Sequence, residues 1–222
     1  MSTIQDLFQQ AQLAEAAYAD FINPDTGAIY NTDAGIQRAL IASGFSSDPN
    51  SPTQSAQASD FVLHWQVVSQ FSERGVDGLT DGNGFSATLF ESRDHPGQYV
   101  FAVRGSELLV DFAEADFSLL AGGLAFDQLL SMVNYVLRLQ AGSNGHTRQV
   151  ELLSASGATA PSLTTSFVNG VGPGIAPAQL TIAGHSLGGY LGQMYHGFLA
   201  APGSIPTTRW ASSDPAPRSW TN

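Results

Sequence analysis

Cysteine and lysine are both missing from this chain of 222 residues. Without cysteine there is no disulfide framework, no thiolate metal site and no thiol nucleophile. Without lysine, all eight basic residues are arginine, and against 19 acidic residues they leave a formal charge of -11. That balance argues against nucleic acid or an anionic membrane as a partner and suits a neutral substrate better. Long apolar runs are missing too, so the sequence contains no transmembrane segment. The opening Met1-Ser2-Thr3-Ile4-Gln5-Asp6 has neither the basic start nor the apolar run of a secretory signal peptide, which points to a cytoplasmic chain or one exported by a leaderless route. Five histidines at scattered spacings suggest no metal site, and no cofactor is expected. With 43% hydrophobic residues, the length suits one buried core and a single domain over residues 1–222.

Ser2-Thr3-Ile4-Gln5 has the spacing of a capping box, and Ile4, Leu7, Phe8, Ala11, Ala14, Ala17 and Tyr18 then recur at helical intervals, predicting a first helix that ends near Asn23-Pro24. A second short helix is expected from Thr32 to Ile41, stopped at Gly44. Residues 44–60, rich in Ser, Pro and Gln, read as a mobile loop with a lid as its sharper alternative. Phe61 to Phe71 crosses from helix to strand around His64-Trp65. Turn signals at Asp77-Gly78 and Asp81-Gly82-Asn83-Gly84 precede an alternating strand from Phe85 to Phe90. Asp94-His95-Pro96-Gly97 turns the chain into the apolar strand Tyr99 to Val103, making a β-hairpin. Gly122-Gly123 is expected to open a helix from about Leu124 to Gln140, and residues 141–178 read as an insertion containing a strand-like Gln149 to Leu153.

The chemistry concentrates near the end. Leu180-Thr181-Ile182-Ala183 reads as a buried strand, Gly184-His185-Ser186-Leu187-Gly188-Gly189 as a sharp turn, and Tyr190 to Leu199 as a helix. A serine between two glycines at a strand-to-helix turn has the form of the nucleophile elbow of α/β-hydrolases. The glycines let the backbones approach, the turn exposes the Ser186 hydroxyl, and the Leu187 N–H at the helix start points at a developing oxyanion. Arg104-Gly105-Ser106 follows the Tyr99 to Val103 strand. Beside Asp111 and Asp116, Arg104 reads as a member of a structural ion pair.

Strand, Arg-Gly-Ser, long helix, strand and Gly-His-Ser-Leu-Gly-Gly, in this order over roughly residues 84–192, resemble the class 3 lipases, especially their bacterial relatives. The resemblance implies an α/β-hydrolase fold, with a central mostly parallel sheet flanked by helices and a hairpin on its N-terminal side. It implies Ser186 as nucleophile and Ser106 with Leu187 as the oxyanion hole. The expected activity is hydrolysis of a small-molecule or lipid carboxylic ester through an acyl-enzyme, with interfacial lipid contact open to it.

The sequence departs from that family behind the elbow. Only 36 residues follow Ser186, no acidic residue stands between Glu151 and Asp214, and His196 lies ten positions along the elbow helix. At about 1.5 Å per residue His196 falls roughly 15 Å from Ser186, beyond hydrogen-bond reach. His185 reads as a packing residue, His64 as a core or boundary residue, and His95 and His146 as turn or loop residues. The general base and its acid are therefore unassigned. Residues 200–222 read as an irregular tail, and the chain is expected to be truncated or frame-shifted beyond the elbow helix. Two other functions stay open: a weakly active or inactive hydrolase-like fragment that binds lipid or a partner, and an acyltransferase or thioesterase using the same elbow.

Overall fold

The computed structural model describes residues 4–45, 52–72, 84–105, 117–155, 158–176 and 179–199. Three helices come first: α1 (Ile4–Ala16), α2 (Asp33–Ala42) and α3 (Pro52–His64). Thr32 caps α2 by accepting from the Gly35 N–H at 3.2 Å. The helix is capped by Ser43, and the next residue, Gly44, has a φ of +78° that lets Phe45 N–H return to the Leu40 carbonyl. Phe45 is thereby turned inward and meets the edge of Phe61, ring centroids 5.5 Å apart.

Two expectations change here. The first helix stops at Ala16, before Asn23-Pro24, because Ala17, Ala19 and Phe21 turn into the core. Residues 44–60, expected as a loop, are helical from Pro52 onward. Proline suits the first turn of a helix, and Ala58, Phe61 and Val62 anchor α3 by burial. Its polar residues were misleading because only a narrow stripe of a surface helix must be apolar.

The chain passes directly into β1 (Trp65–Ser72), then β2 (Ser86–Ser92) and β3 (Tyr99–Val103), and on to α4 (Phe117–Ala141). The glycines Gly122 and Gly123, expected to open α4, lie inside it. A glycine costs about 1 kcal/mol against alanine in a helix, too little to end one of 25 residues whose later turns are packed on the sheet. After α4 come β4 (His146–Thr147), β5 (Val150–Ala155), β6 (Ala158–Leu163), β7 (Val168–Asn169), β8 (Leu180–Gly184) and α5 (Leu187–Leu199). The segment expected as an insertion thus contains two small antiparallel pairs, β4 with β7 and β5 with β6. The tail from residue 200, and the turn signals at residues 77–83, lie outside the described residues.

The main sheet has the order β1-β2-β3-β8. The pairs β1–β2 and β2–β3 are antiparallel and β3–β8 is parallel, so among the described strands the sheet is mixed rather than mostly parallel. Alternation sorts its side chains. Phe90, Val100, Ala102 and Ala183 face a core shared with α1, α2 and α3, whereas Leu89, Phe101, Val103 and Ile182 face one shared with α4 and α5. No described helix is long and apolar enough to cross a membrane.

Gln70 joins the first layer to the sheet. Its amide donates to the Ala19 carbonyl at 2.7 Å and to Thr88 Oγ1 at 2.9 Å, and accepts from the Phe21 N–H at 2.8 Å. The chain leaving α1 is thereby fixed on both sides of Asp20.

Candidate active site

Parallel pairing aligns Val103 with Gly184, so β3 and β8 end side by side and release their following residues at the same edge. Arg104-Gly105 emerges from one strand and His185-Ser186 from the other. Ser186 has φ of 55° and is exposed. Among the described residues no other non-glycine adopts positive φ. That conformation costs an L-residue roughly 1–2 kcal/mol.

The glycines around it are explained by contact. A β-carbon on Gly184 would stand 2.6 Å from the Gly188 carbonyl carbon, and one on Gly188 would collide with the Val103 carbonyl oxygen. Both are impossible separations, so the first turn of α5 rests directly on the ends of β8 and β3. Leu187 is the first helical residue, buried against the α4 side of the sheet. A helix leaves its first N–H groups outside its own ladder, which makes this turn a place for a negative charge.

Gly105 is equally constrained. A β-carbon there would stand 2.5 Å from Tyr18 Oη, 2.8 Å from the His185 carbonyl oxygen and 3.3 Å from Ser186 Cβ. The site thus draws on three segments: the turn after α1, the end of β3, and the elbow. In the sequence Tyr18 belongs only to the apolar face of the first helix, since nothing local links residue 18 to residue 105.

Arg104 is buried, its N–H bonded to the Ser86 carbonyl and its Nη2 3.3 Å from the Gly84 carbonyl. The expected ion-pair partners Asp111 and Asp116 lie outside the described residues, as does Ser106, expected to contribute to an oxyanion hole.

The histidines separate by position. His64 Nδ1 lies 2.6 Å from Asp94 Oδ2, with Asp60 3.9 Å from the other ring nitrogen, an exposed cluster joining the start of β1 to the β2–β3 turn. His95 occupies that same turn. It lies at the Tyr99 end of β3, about 13 Å from the elbow end at roughly 3.3 Å per residue. His146 follows α4, beyond Ala141, 18 residues after Gln128, which lies beside Gly84. His196 is nine residues beyond the start of α5, about 14 Å along its axis.

His185 is exposed rather than packed, which corrects the sequence-based reading. It lines a 590 Å³ cleft with Glu15, Tyr18, Asp20, Ser43 and Gly44. The cleft meets the elbow through His185, and Ser186 is not part of its wall. No hydrogen bond joins Ser186 to an imidazole among the described residues, and no cluster of three or more potential metal ligands occurs among them. The chain matches no family model, no curated protein sequence and no solved structure.

Proposed function

We propose that this chain is an α/β-hydrolase-type serine esterase or lipase that cleaves carboxylic esters through an acyl-enzyme on Ser186. The observation that carries the reading is backbone geometry: Ser186 holds a positive φ of 55° between glycines whose β-carbons have no room. Strain of this kind persists where the surrounding structure imposes it, and it concentrates at functional sites. The turn leaves the hydroxyl exposed at the N-terminal end of α5, where Leu187 N–H, with Ser106 as the second contributor, is suited to an oxyanion.

In this reaction Ser186 Oγ adds to the ester carbonyl carbon and the ester C–O bond breaks. The serine proton leaves with the alcohol, and water then hydrolyses the acyl-serine. The general base is not assigned to any described residue.

That missing base favours a second reading, in which the fold keeps the nucleophile half of a hydrolase and binds a lipid or a partner with little turnover. Hydrolysis of a short-chain chromogenic ester by the native chain and by Ser186→Ala separates the two. The hydrolase reading expects a fall of at least about 100-fold in the variant. Equal rates favour the binding module.

A further inference from the structure

The turn after α1 reaches the nucleophile from the far side of the sheet core. Tyr18 N–H bonds to the Glu15 carbonyl at 3.1 Å, which tightens the end of α1, and Gln70 grips the backbone one and three residues later at Ala19 and Phe21. These bonds fix the base of the Tyr18 side chain. Its hydroxyl ends at Gly105, 2.5 Å from where a β-carbon would stand, with Ser186 Cβ 3.3 Å from that same point. Tyr18 also lines the cleft that meets the elbow at His185. A phenol positioned between cleft and nucleophile is an O–H donor.

Resting on the serine-hydrolase reading, we propose that Tyr18 is a further catalytic residue, donating a hydrogen bond to the substrate oxygen that becomes the oxyanion. When Ser186 Oγ bonds to the carbonyl carbon, the carbonyl π pair moves onto that oxygen, and the Tyr18 O–H supports the charge. Collapse restores the carbonyl and breaks the ester C–O bond, the departing alcohol taking the proton that came from Ser186. Tyr18 keeps its own proton throughout. Its contribution is electrostatic, made by a donor held in place before substrate arrives.

The test compares the native chain with Tyr18→Phe and Ser186→Ala on a short-chain p-nitrophenyl ester, with thermal denaturation and inhibition by an alkyl boronic acid as companion readouts. Tyr18→Phe is expected to lower kcat about 10- to 100-fold, to leave KM within about twofold, and to weaken the tetrahedral boronate by a similar factor. A pure packing role has no reason to link kcat to boronate affinity in this way. Native kcat in Tyr18→Phe, with Ser186→Ala inactive, overturns the inference and leaves the hydrolase reading standing. Equal rates in the native chain and Ser186→Ala overturn both. If Tyr18→Phe fails to fold, a fluorinated tyrosine at position 18 decides: being a more acidic phenol, it is expected to bring the alkaline loss of kcat to lower pH, and an unchanged pH profile overturns the inference.

Discussion

The Gly188 Cα faces the carbonyl oxygen of Val103 across a gap that admits no β-carbon. This contact seats the start of α5 on the end of β3 and brings the elbow beside Arg104-Gly105. Two segments 80 residues apart thereby become one site.

Gly188→Ala is expected to be among the most damaging single methyl additions to the chain. The new carbon meets backbone rather than a movable side chain, so relief requires shifting α5 or β3, at a cost of about 3 kcal/mol or more. Urea denaturation checks it. A change below about 0.5 kcal/mol contradicts the close seating of the helix on the strand.

Ser186 offers a strain measurement independent of activity. Ser186→Gly is expected to be more stable than Ser186→Ala by about 0.5–1 kcal/mol, since glycine tolerates positive φ while its greater unfolded-state freedom offsets part of the gain. Paired denaturation curves decide it, and an alanine variant equal to or more stable than the glycine variant argues against the strained turn.

Gln70→Leu removes three hydrogen bonds together, leaving the Ala19 carbonyl, the Phe21 N–H and the Thr88 hydroxyl without this partner. The expected cost is about 2–3 kcal/mol, because a buried polar group that loses its partner retains its desolvation penalty. Protection of the Phe21 amide against hydrogen exchange should fall with it. Unchanged protection in the variant contradicts the tie between β1 and the turn after α1.

The absence of lysine and cysteine simplifies the alkaline response. Above about pH 9 the tyrosines are the main groups left to titrate. Burial raises the pKa of Tyr135 strongly, against a smaller lowering by its hydrogen bond to Ser69, and burial also raises Tyr195 and Tyr99. A neutral form favoured in the folded state gives stability that is fully present below the ordinary tyrosine pKa of 10.0 and is lost as pH rises toward the higher folded-state values. The melting temperature is therefore expected to fall above about pH 10, and the fall should be shallower in Tyr135→Phe. Identical slopes contradict the burial of the Tyr135 phenol.

What could be read in advance was local. The elbow's glycines touch within five residues, so the motif itself carried the geometry, and the helix-to-strand change at His64-Trp65 was visible in the shift of period. The alternation over Phe85 to Phe90 was equally legible, and it sets Leu89 and Phe90 in different cores; the apolar run from Tyr99 to Val103 offered no such sorting, although Phe101 and Val100 also part between the two cores. Long-range relationships were hidden. Tyr18 meets Gly105 and the elbow only after α1 packs across β3 and β8, and the exposure of His185 depends on the cleft that α1 and α2 border. Residues 52–60 misled because a helix needs few apolar contacts when Phe61 and Val62 at its end supply the anchor.

Covalent labelling reads most directly whether Ser186 is an activated nucleophile, as proposed. The native folded chain, treated with a fluorophosphonate and analysed by peptide mass spectrometry, is predicted to carry one phosphonyl group, on Ser186, with labelling lost in Ser186→Ala. Native protein left unlabelled at Ser186 would mean that this serine is not an activated nucleophile.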